Sequence, residues 1–136
     1  MAKSIEATLE DVQAHKALTK AMGLIDLDVV KQEWDEAEEI LLLYCIPRWG
    51  VDVCPECGHL VRRIHDYPEQ RHVHDAPLRG IKTLLVLDVH RLRCECCQHV
   101  FTLRFRDIVA DCTYTKRLAQ EIGDPERKQD VQTLSR

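Results

Sequence analysis

Two short cysteine clusters are the part of this sequence best suited to chemistry. The first reads Cys-Pro-Glu-Cys-Gly from residue 54, and the second reads Cys-Glu-Cys-Cys from residue 94. Two residues between paired thiolates let the backbone curl around one tetrahedral ion, and a glycine after the pair permits the dihedral angles of such a curl. The spacing predicts one structural Zn²⁺ ion, bound by Cys54, Cys57, Cys94 and Cys97.

The same residues leave other interpretations open. Four thiolates also bind iron in rubredoxin-like centres, and reduced cysteines can lie in an ordinary hairpin without a metal. Cys96 could take the place of Cys97, although Cys94 and Cys96 stand close together for one knuckle. His72 and His74 would share a strand face and could hold a second ion, but surface imidazoles explain them more simply.

Catalysis is not what this metal site predicts. A catalytic zinc keeps a coordination position open for water, and four thiolates leave none. The chain has 136 residues, which supports one modest domain but not a large catalytic domain as well. We therefore expect no catalytic residues, no small-molecule substrate and no enzymatic activity.

Composition and cysteine usage bear on the compartment. Hydrophobic residues make up 45% and charged residues 31% of the chain, as in ordinary soluble proteins. The N-terminus has charges where a signal peptide needs an apolar run, and no stretch approaches the roughly 18 apolar residues of a membrane span. Seven cysteines, an odd number, fit metal ligands in a reducing compartment better than a disulfide framework. We expect a cytoplasmic protein without a membrane partner.

Positive charge is concentrated around the knuckles. Residues 1–53 carry 5 Lys and Arg against 11 Asp and Glu, whereas residues 54–117 carry 11 against 8. Four thiolates with one Zn²⁺ would lower the net charge of that middle segment by two. The asymmetry therefore suggests an anionic partner without establishing one.

The segments before the first knuckle predict a helix and a hairpin. Apolar residues recur at helical spacing over residues 5–22, and Gly23 offers a stop. Residues 27–34 alternate loosely, residues 35–39 form a polar turn, and residues 40–46 are a continuous apolar run. This pattern predicts two strands joined by a charged turn, the second of them buried on both faces or at an interface. Cys45 lies in the second strand and is expected to be a small buried hydrophobe.

The segments after the first knuckle predict further strands. Residues 60–67 and 71–76 are two short strands, residues 77–80 a turn, and residues 81–93 the longest strand, which leads directly into the second knuckle. Phe101, Leu103 and Phe105 alternate on the strand that leaves it.

The remaining residues predict a short helix and a tail. Thr113 or Thr115 can cap a helix through residue 122, and the polar residues 124–136 are expected to be mobile.

The fold class predicted from these elements is α+β. It is a small zinc ribbon of antiparallel strands, preceded by an N-terminal helix and a β-hairpin and followed by a short helix. We divide the chain into an N-terminal helix at 1–24, the hairpin and zinc ribbon at 25–112, and the short helix with its tail at 113–136.

One order of residues resembles a known family. The order is Cys54-Pro-x-Cys-Gly, His65-Asp66, Arg71, His74-Asp75-x-Pro77, Gly80, an alternating strand, Arg91-x-Arg93-Cys94-x2-Cys97 and Phe101-Thr102. It resembles the N-terminal zinc-finger region of ISL-three family insertion-sequence transposases over roughly residues 25–122. The resemblance is specific because the run between the knuckles matches in order and spacing, whereas the knuckles alone recur in unrelated ribbons.

The resemblance implies a DNA-binding role. Family members continue into helix-turn-helix segments and a large catalytic domain, so a chain ending at residue 136 would be a fragment, a truncated reading frame or a free-standing derivative. The arginines that could contact phosphates are Arg62, Arg63, Arg71, Arg91, Arg93 and Arg104. Solvated surface charge is the alternative for these side chains. The alternative function is a zinc-stabilised module for dimerisation or for binding a transposase-like partner, and such a module could be a transposase-derived regulator.

Overall fold

The chain alternates between a four-stranded sheet and a smaller ribbon. A computed structural model describes residues 5–109 and 113–122. The strands in these ranges are β1 (Leu27–Asp35), β2 (Ile40–Pro47), β3 (Asp52–Val53), β4 (Leu60–Val61), β5 (Ile64–Asp66), β6 (Gln70–Leu78), β7 (Ile81–Asp88), β8 (Arg91–Arg93) and β9 (Val100–Thr102). The helices are α1 (Leu9–Ala14), α2 (Lys16–Ala21) and α3 (Lys116–Ile122). The predicted α+β class is confirmed.

The larger sheet has the strand order β1-β2-β7-β6. Strands β1 and β2 form the predicted hairpin, and the turn between them covers the polar residues 36–39. Strand β2 pairs in parallel with β7, because the chain leaves the sheet after β2, builds the first part of the ribbon and returns as β6 and β7. The apolar run of β2 is thus an inner strand with a neighbour on each side.

The sheet packs its main core on one face. Leu27, Val29, Leu43 and Leu85 are buried there, and Cys45 lies among them at 1% exposure. Burial raises the pKa of the Cys45 thiol far above its ordinary value, with the carboxylates of Asp75, Asp107 and Asp28 adding to the shift. The prediction that Cys45 is a small buried hydrophobe is confirmed.

The ribbon is built from two hairpins around the knuckles. Strands β3 and β4 flank the first knuckle, β8 and β9 flank the second, and β5 pairs with β8. Its core is small and consists of the buried residues Cys54, Val61, Leu92, Cys94 and Leu103. Phe101 and Phe105 pack against this cluster, as their alternation with Leu103 predicts.

The predicted long strand over residues 81–93 is wrong, because two strands share it. The backbone leaves the large sheet after β7, where the Val89 N–H donates to the Glu69 carbonyl at 2.8 Å. The His90 carbonyl then accepts from the Leu103 N–H at 2.8 Å, inside the ribbon. One segment thus supplies two different sheets, which alternation of residue types alone cannot reveal.

Two other strand boundaries also differ from prediction. The predicted strand over 60–67 is divided into β4 and β5. The predicted turn at 77–80 is shorter, because β6 continues through Pro77 and the turn consists of Arg79 and Gly80, with φ of 49° and 84°. Two consecutive residues with positive φ are typical of the tightest hairpins, which need only two turn residues.

The predicted N-terminal helix over 5–22 is two short helices. Thr8 caps α1, its hydroxyl accepting from the Asp11 N–H at 3.2 Å while the Asp11 carboxylate accepts from the Thr8 N–H at 2.9 Å. His15, at φ −111° and ψ 13°, ends α1 and precedes α2. Helical spacing of apolar residues continues across this break, which is why periodicity alone did not locate it.

The C-terminal helix begins where one of the predicted caps places it. The Thr115 hydroxyl accepts from the Leu118 N–H at 3.1 Å. The predicted tail at 124–136 lies outside the described residues, as does Cys112. Within the described ranges, no helix is long and apolar enough to cross a membrane.

Buried carboxylates attach the later segments to the sheet. Asp75, 5% exposed, accepts from the Thr115 hydroxyl at 2.7 Å and pairs with Arg117 of α3. Asp26 and Asp107 connect the start of β1 to residues 106 and 107, since Asp26 pairs with Arg106 at 2.7 Å and Asp107 accepts from the Ile25 and Asp26 N–H groups. The segments that follow the ribbon are therefore attached to the sheet by ion pairs and hydrogen bonds.

Candidate metal centre

Four cysteine sulfurs converge between the two knuckles. The ligand atoms of Cys54, Cys57, Cys94 and Cys97 all lie within 4.8 Å of one another. Sγ of Cys54 is 3.6 Å from Sγ of Cys97, and Sγ of Cys57 is 3.4 Å from Sγ of Cys94. Tetrahedral zinc with Zn–S bonds of about 2.3 Å requires sulfurs about 3.8 Å apart. These distances are too long for a disulfide, whose S–S bond is about 2.05 Å, and suit one zinc ion.

The two knuckles share one backbone pattern. In the first, the Cys54 N–H donates to the His59 carbonyl at 2.8 Å and the Gly58 N–H donates to the Cys54 carbonyl at 2.9 Å. In the second, the Cys94 N–H donates to the carbonyl of residue 99 at 2.9 Å and the Gln98 N–H donates to the Cys94 carbonyl at 2.9 Å. Gly58 and Gln98 both have positive φ, 80° and 66°. Each knuckle therefore presents its cysteine pair in the same curl.

The pKa values of the clustered thiols are shifted by backbone N–H groups and by the neighbouring sulfurs. The backbone N–H of Cys97 donates to the sulfur of Cys94 and, against the effect of burial, lowers the pKa of Cys94 to about 7. At Cys57 the His59 N–H acts in the same direction, but burial and the neighbouring sulfurs of Cys94, Cys97 and Cys54 outweigh it and raise the pKa to about 12. Four adjacent thiols cannot all ionise without a cation, so this donor set calls for a metal.

A second group of ligand atoms adjoins the first and was not predicted. Cys57, His59 and Cys96 also place their ligand atoms within 4.8 Å of one another. Nδ1 of His59 lies 3.2 Å from Sγ of Cys57, and both His59 and Cys96 are exposed. The signal was visible in the sequence, since a histidine follows Cys57 by two positions and Cys96 is an extra cysteine in the second knuckle.

The other histidines do not form such a group within the described residues. His72 and His74 lie on the exposed face of β6, as their spacing predicts, but neither belongs to a set of three neighbouring ligand residues. His99, the counterpart of His59 in the second knuckle, stacks on Phe101 with ring centroids 6.0 Å apart.

Three of the six predicted phosphate-contacting arginines lie beside the metal cluster. Arg62, Arg63 and Arg93 line an open groove, which we call the metal-side groove, together with His59 and Cys96. Arg63 pairs with Glu95 at 2.7 Å, but both side chains are about two-thirds exposed, so this pair contributes little stability. Arg93 donates to the neutral amide oxygen of Gln98 at 3.0 Å and keeps its full charge.

The other three arginines lie elsewhere and face carboxylates. Arg91 forms a two-pronged pair with Asp66, which raises the pKa of Arg91 and lowers that of Asp66. Arg104 pairs with Asp52 at 2.9 Å and also donates to the Val53 carbonyl at 2.8 Å. Arg71 lies 3.9 Å from Glu69. The six arginines therefore do not form one surface of unpaired positive charge.

Comparison with known families supports the metal centre. Residues 50–97 match the model of a family described as the zinc-finger of transposase IS204/IS1001/IS1096/IS1165. No curated protein and no solved structure matches the chain. The matched residues begin before the first knuckle and end at Cys97, so they include all four converging cysteines. The resemblance to the ISL-three transposase zinc finger is confirmed over residues 50–97, and so is zinc as the cofactor that this cysteine cluster suits.

Proposed function

We propose that this chain, whose residues 50–97 are a transposase-type zinc finger, is a non-catalytic DNA-binding module in the cytoplasm. One structural zinc ion, bound by Cys54, Cys57, Cys94 and Cys97, holds the ribbon in shape. Residues 25–112 form the working unit, with residues 1–24 and 113–136 as a flanking helical segment and a flanking helix with its tail. The observation that carries the proposal is the match to a transposase zinc finger beside a groove that contains three arginines.

The arginines are proposed to contribute unequally to DNA binding. All six contact or attract phosphates, but Arg62 and Arg93 contribute most, since neither has a carboxylate partner among the described residues. Arg91 and Arg104 contribute less, because their partners Asp66 and Asp52 already neutralise them. We therefore expect substitutions of Arg62 and Arg93 to weaken DNA binding more than substitutions of Arg91 and Arg104.

The test is the salt dependence of duplex binding. Replacing both Arg62 and Arg93 by alanine should weaken binding and reduce the slope of log K against log salt by about two, since each lost phosphate contact removes about one unit. The measurement is a fluorescence anisotropy titration at several salt concentrations. Lys20→Ala with Lys31→Ala is the control, because it removes two positive charges from α2 and β1, away from the groove.

Two results would contradict the proposal. One is the absence of duplex binding at low salt in the zinc-loaded protein. The other is an equal change of slope in the arginine and lysine double variants, which would mean that only net charge matters.

One observation favours self-association as a second function. Leu42 of β2 and Leu84 of β7 are register partners on the sheet, and Ile40 lies on the same face; all three side chains are partly exposed. Adjacent apolar side chains on a sheet face can form the centre of a dimer interface. Light scattering of the purified chain tests this: a dimer that Leu42→Lys dissociates supports it, and a monomer at high protein concentration excludes it.

A further inference from the structure

We infer that the two knuckles together carry a second, exchangeable metal site formed by Cys57, His59 and Cys96, in which the Cys57 sulfur is shared with the structural ion. The three ligand atoms lie within 4.8 Å of one another. This inference concerns metal binding alone and stands whether or not the chain binds DNA. It does require the structural ion to be bound through Cys57.

The distances suit a single ion. Nδ1 of His59 is 3.2 Å from Sγ of Cys57. Two tetrahedral ligands on zinc, one sulfur at about 2.3 Å and one nitrogen at about 2.0 Å, stand about 3.5 Å apart. The contact is therefore near the separation that a shared ion imposes, and a small movement of an exposed histidine ring would complete it.

The chemistry of Cys57 permits the sharing. A thiolate bound to one Zn²⁺ keeps lone pairs on sulfur and can donate one of them to a second soft or borderline cation. Two sulfurs and one imidazole nitrogen are ligands that Zn²⁺ and Cd²⁺ both accept. The second ion forms its bond to the Cys96 sulfur as the S–H bond of that thiol breaks; the proton goes to solvent, and the ion gives up water ligands.

The position of the site explains why the second ion would exchange. His59 and Cys96 are exposed and both line the metal-side groove, so the fourth coordination position faces water. The four-cysteine site, by contrast, has two ligands, Cys54 and Cys94, that are each 1% exposed. One ion is thus enclosed and the neighbouring ion is open, as in the general distinction between structural and open zinc sites.

The test counts ions in the full chain. Native mass spectrometry of the purified protein should show one zinc per chain after dialysis and two after zinc is added in excess. Cys96→Ser and His59→Ala should each keep the first ion and lose the second. His99→Ala is the matched control, because His99 has the same place in the second knuckle but stacks on Phe101, and it should keep both ions.

Cadmium gives an independent readout of ligand type. In ¹¹³Cd NMR the wild-type chain should give two resonances, one from the four-sulfur site and one from a site with nitrogen. Cys96→Ser should remove only the second.

Three results on the second ion would overturn the inference. They are a single ion in the wild type at every zinc concentration, loss of the second ion in His99→Ala as well, and a second ion that survives both Cys96→Ser and His59→Ala. Loss of the first ion in Cys96→Ser would also overturn it, because Cys96 would then belong to the structural site. A chain that binds no zinc at all would remove the proposed structural ion and, with it, this inference.

Discussion

The four-stranded sheet and the ribbon are stabilised by different means, although the chain passes between them three times. The sheet buries a cluster that includes Leu27, Val29, Leu43 and Leu85, each fully inaccessible to solvent. The core cluster of the ribbon has five buried residues, and two of them are cysteines of the metal cluster. Strands of two or three residues cannot bury enough apolar surface to offset the entropy of ordering. From this difference we expect the ribbon, but not the sheet, to depend on a bound metal ion.

Removing the metal is the largest expected effect. Binding of a structural zinc typically supplies about 10–16 kcal/mol of apparent free energy, which is folding energy in a small domain. Chelation should therefore unfold the ribbon and leave the sheet folded. Hydrogen exchange measures this directly: the N–H groups of Cys94 and Gln98, bonded in the second knuckle, should lose protection, while those of β7 keep it.

Cys94→Ser is the genetic counterpart of chelation, and Cys45→Ser is its control. Both cysteines are 1% exposed, but only Cys94 lies in the metal cluster. If chelation removed protection from β7 and the ribbon together, the two regions would be one cooperative unit and the comparison would fail.

Truncating a side chain in the sheet core should affect the stability of the protein without affecting the metal site. Leu85→Ala removes a fully buried side chain from the sheet and should lower the free energy of unfolding by about 2–5 kcal/mol. Because none of the four clustered cysteines belongs to this core cluster, zinc affinity should change little. Urea denaturation followed by circular dichroism measures the first quantity, and competition with a zinc indicator measures the second.

The matched change in the ribbon is Leu92→Ala. Leu92 is 1% exposed and packs in one cluster with Cys54 and Cys94, so its loss should weaken zinc binding as well as stability. Equal effects of the two substitutions on zinc affinity would contradict the division between the two cores.

The junction between the regions should give a smaller, pH-dependent effect. At Asp26, burial acts to raise the pKa, but the side-chain and backbone hydrogen bonds from Arg106 and its charge outweigh burial and hold the pKa below 3.8. A carboxyl whose pKa is depressed by folding stabilises the fold above its unfolded pKa and loses that contribution as pH falls through the folded value. Asp26→Asn should cost about 1–3 kcal/mol near neutral pH, the usual worth of hydrogen bonds to a charged group.

The comparison of wild type and Asp26→Asn should be made over a range of pH. Their difference in unfolding free energy should shrink as pH falls below 3.8, first because the unfolded carboxyl takes up a proton and, at lower pH, because the folded carboxyl does so too. Zinc loss in acid affects both proteins and largely cancels in the difference. A difference that stays constant with pH would mean that the Asp26 charge is not what joins the regions.

The difference between sheet and ribbon also explains which parts of the structure could be predicted from the sequence. The knuckles were located correctly because metal ligation fixes residue type and spacing, and the β1–β2 hairpin because polar residues separate two apolar runs. The division of residues 81–93 between two sheets was not predictable. The segment alternates as one strand would, but Leu85 pairs with β6 in the large sheet and Leu92 pairs with β9 in the ribbon. The pairing of Arg91 with Asp66 likewise depends on tertiary contact and has no local signal.

The smallest effects compare the two knuckles themselves. Gly58 and Gln98 occupy equivalent positions with positive φ, and only glycine adopts this conformation without strain. Gly58→Ala should destabilise the zinc-loaded protein by about 1 kcal/mol through the backbone alone, because nothing lies within 4 Å of an added Cβ.

The reciprocal change, Gln98→Gly, should be nearly neutral. It relieves about 1 kcal/mol of strain but removes the side-chain bonds of Gln98 to Arg93 and to the Glu95 carbonyl, which together are worth a similar amount. Gln98→Ala keeps the strain and loses the bonds, so it should be less stable than Gln98→Gly by about 1 kcal/mol. Thermal unfolding of the zinc-loaded variants measures the order. If Gln98→Ala were as stable as Gln98→Gly, the positive φ at residue 98 would not strain the backbone, and the two knuckles would not differ in this respect.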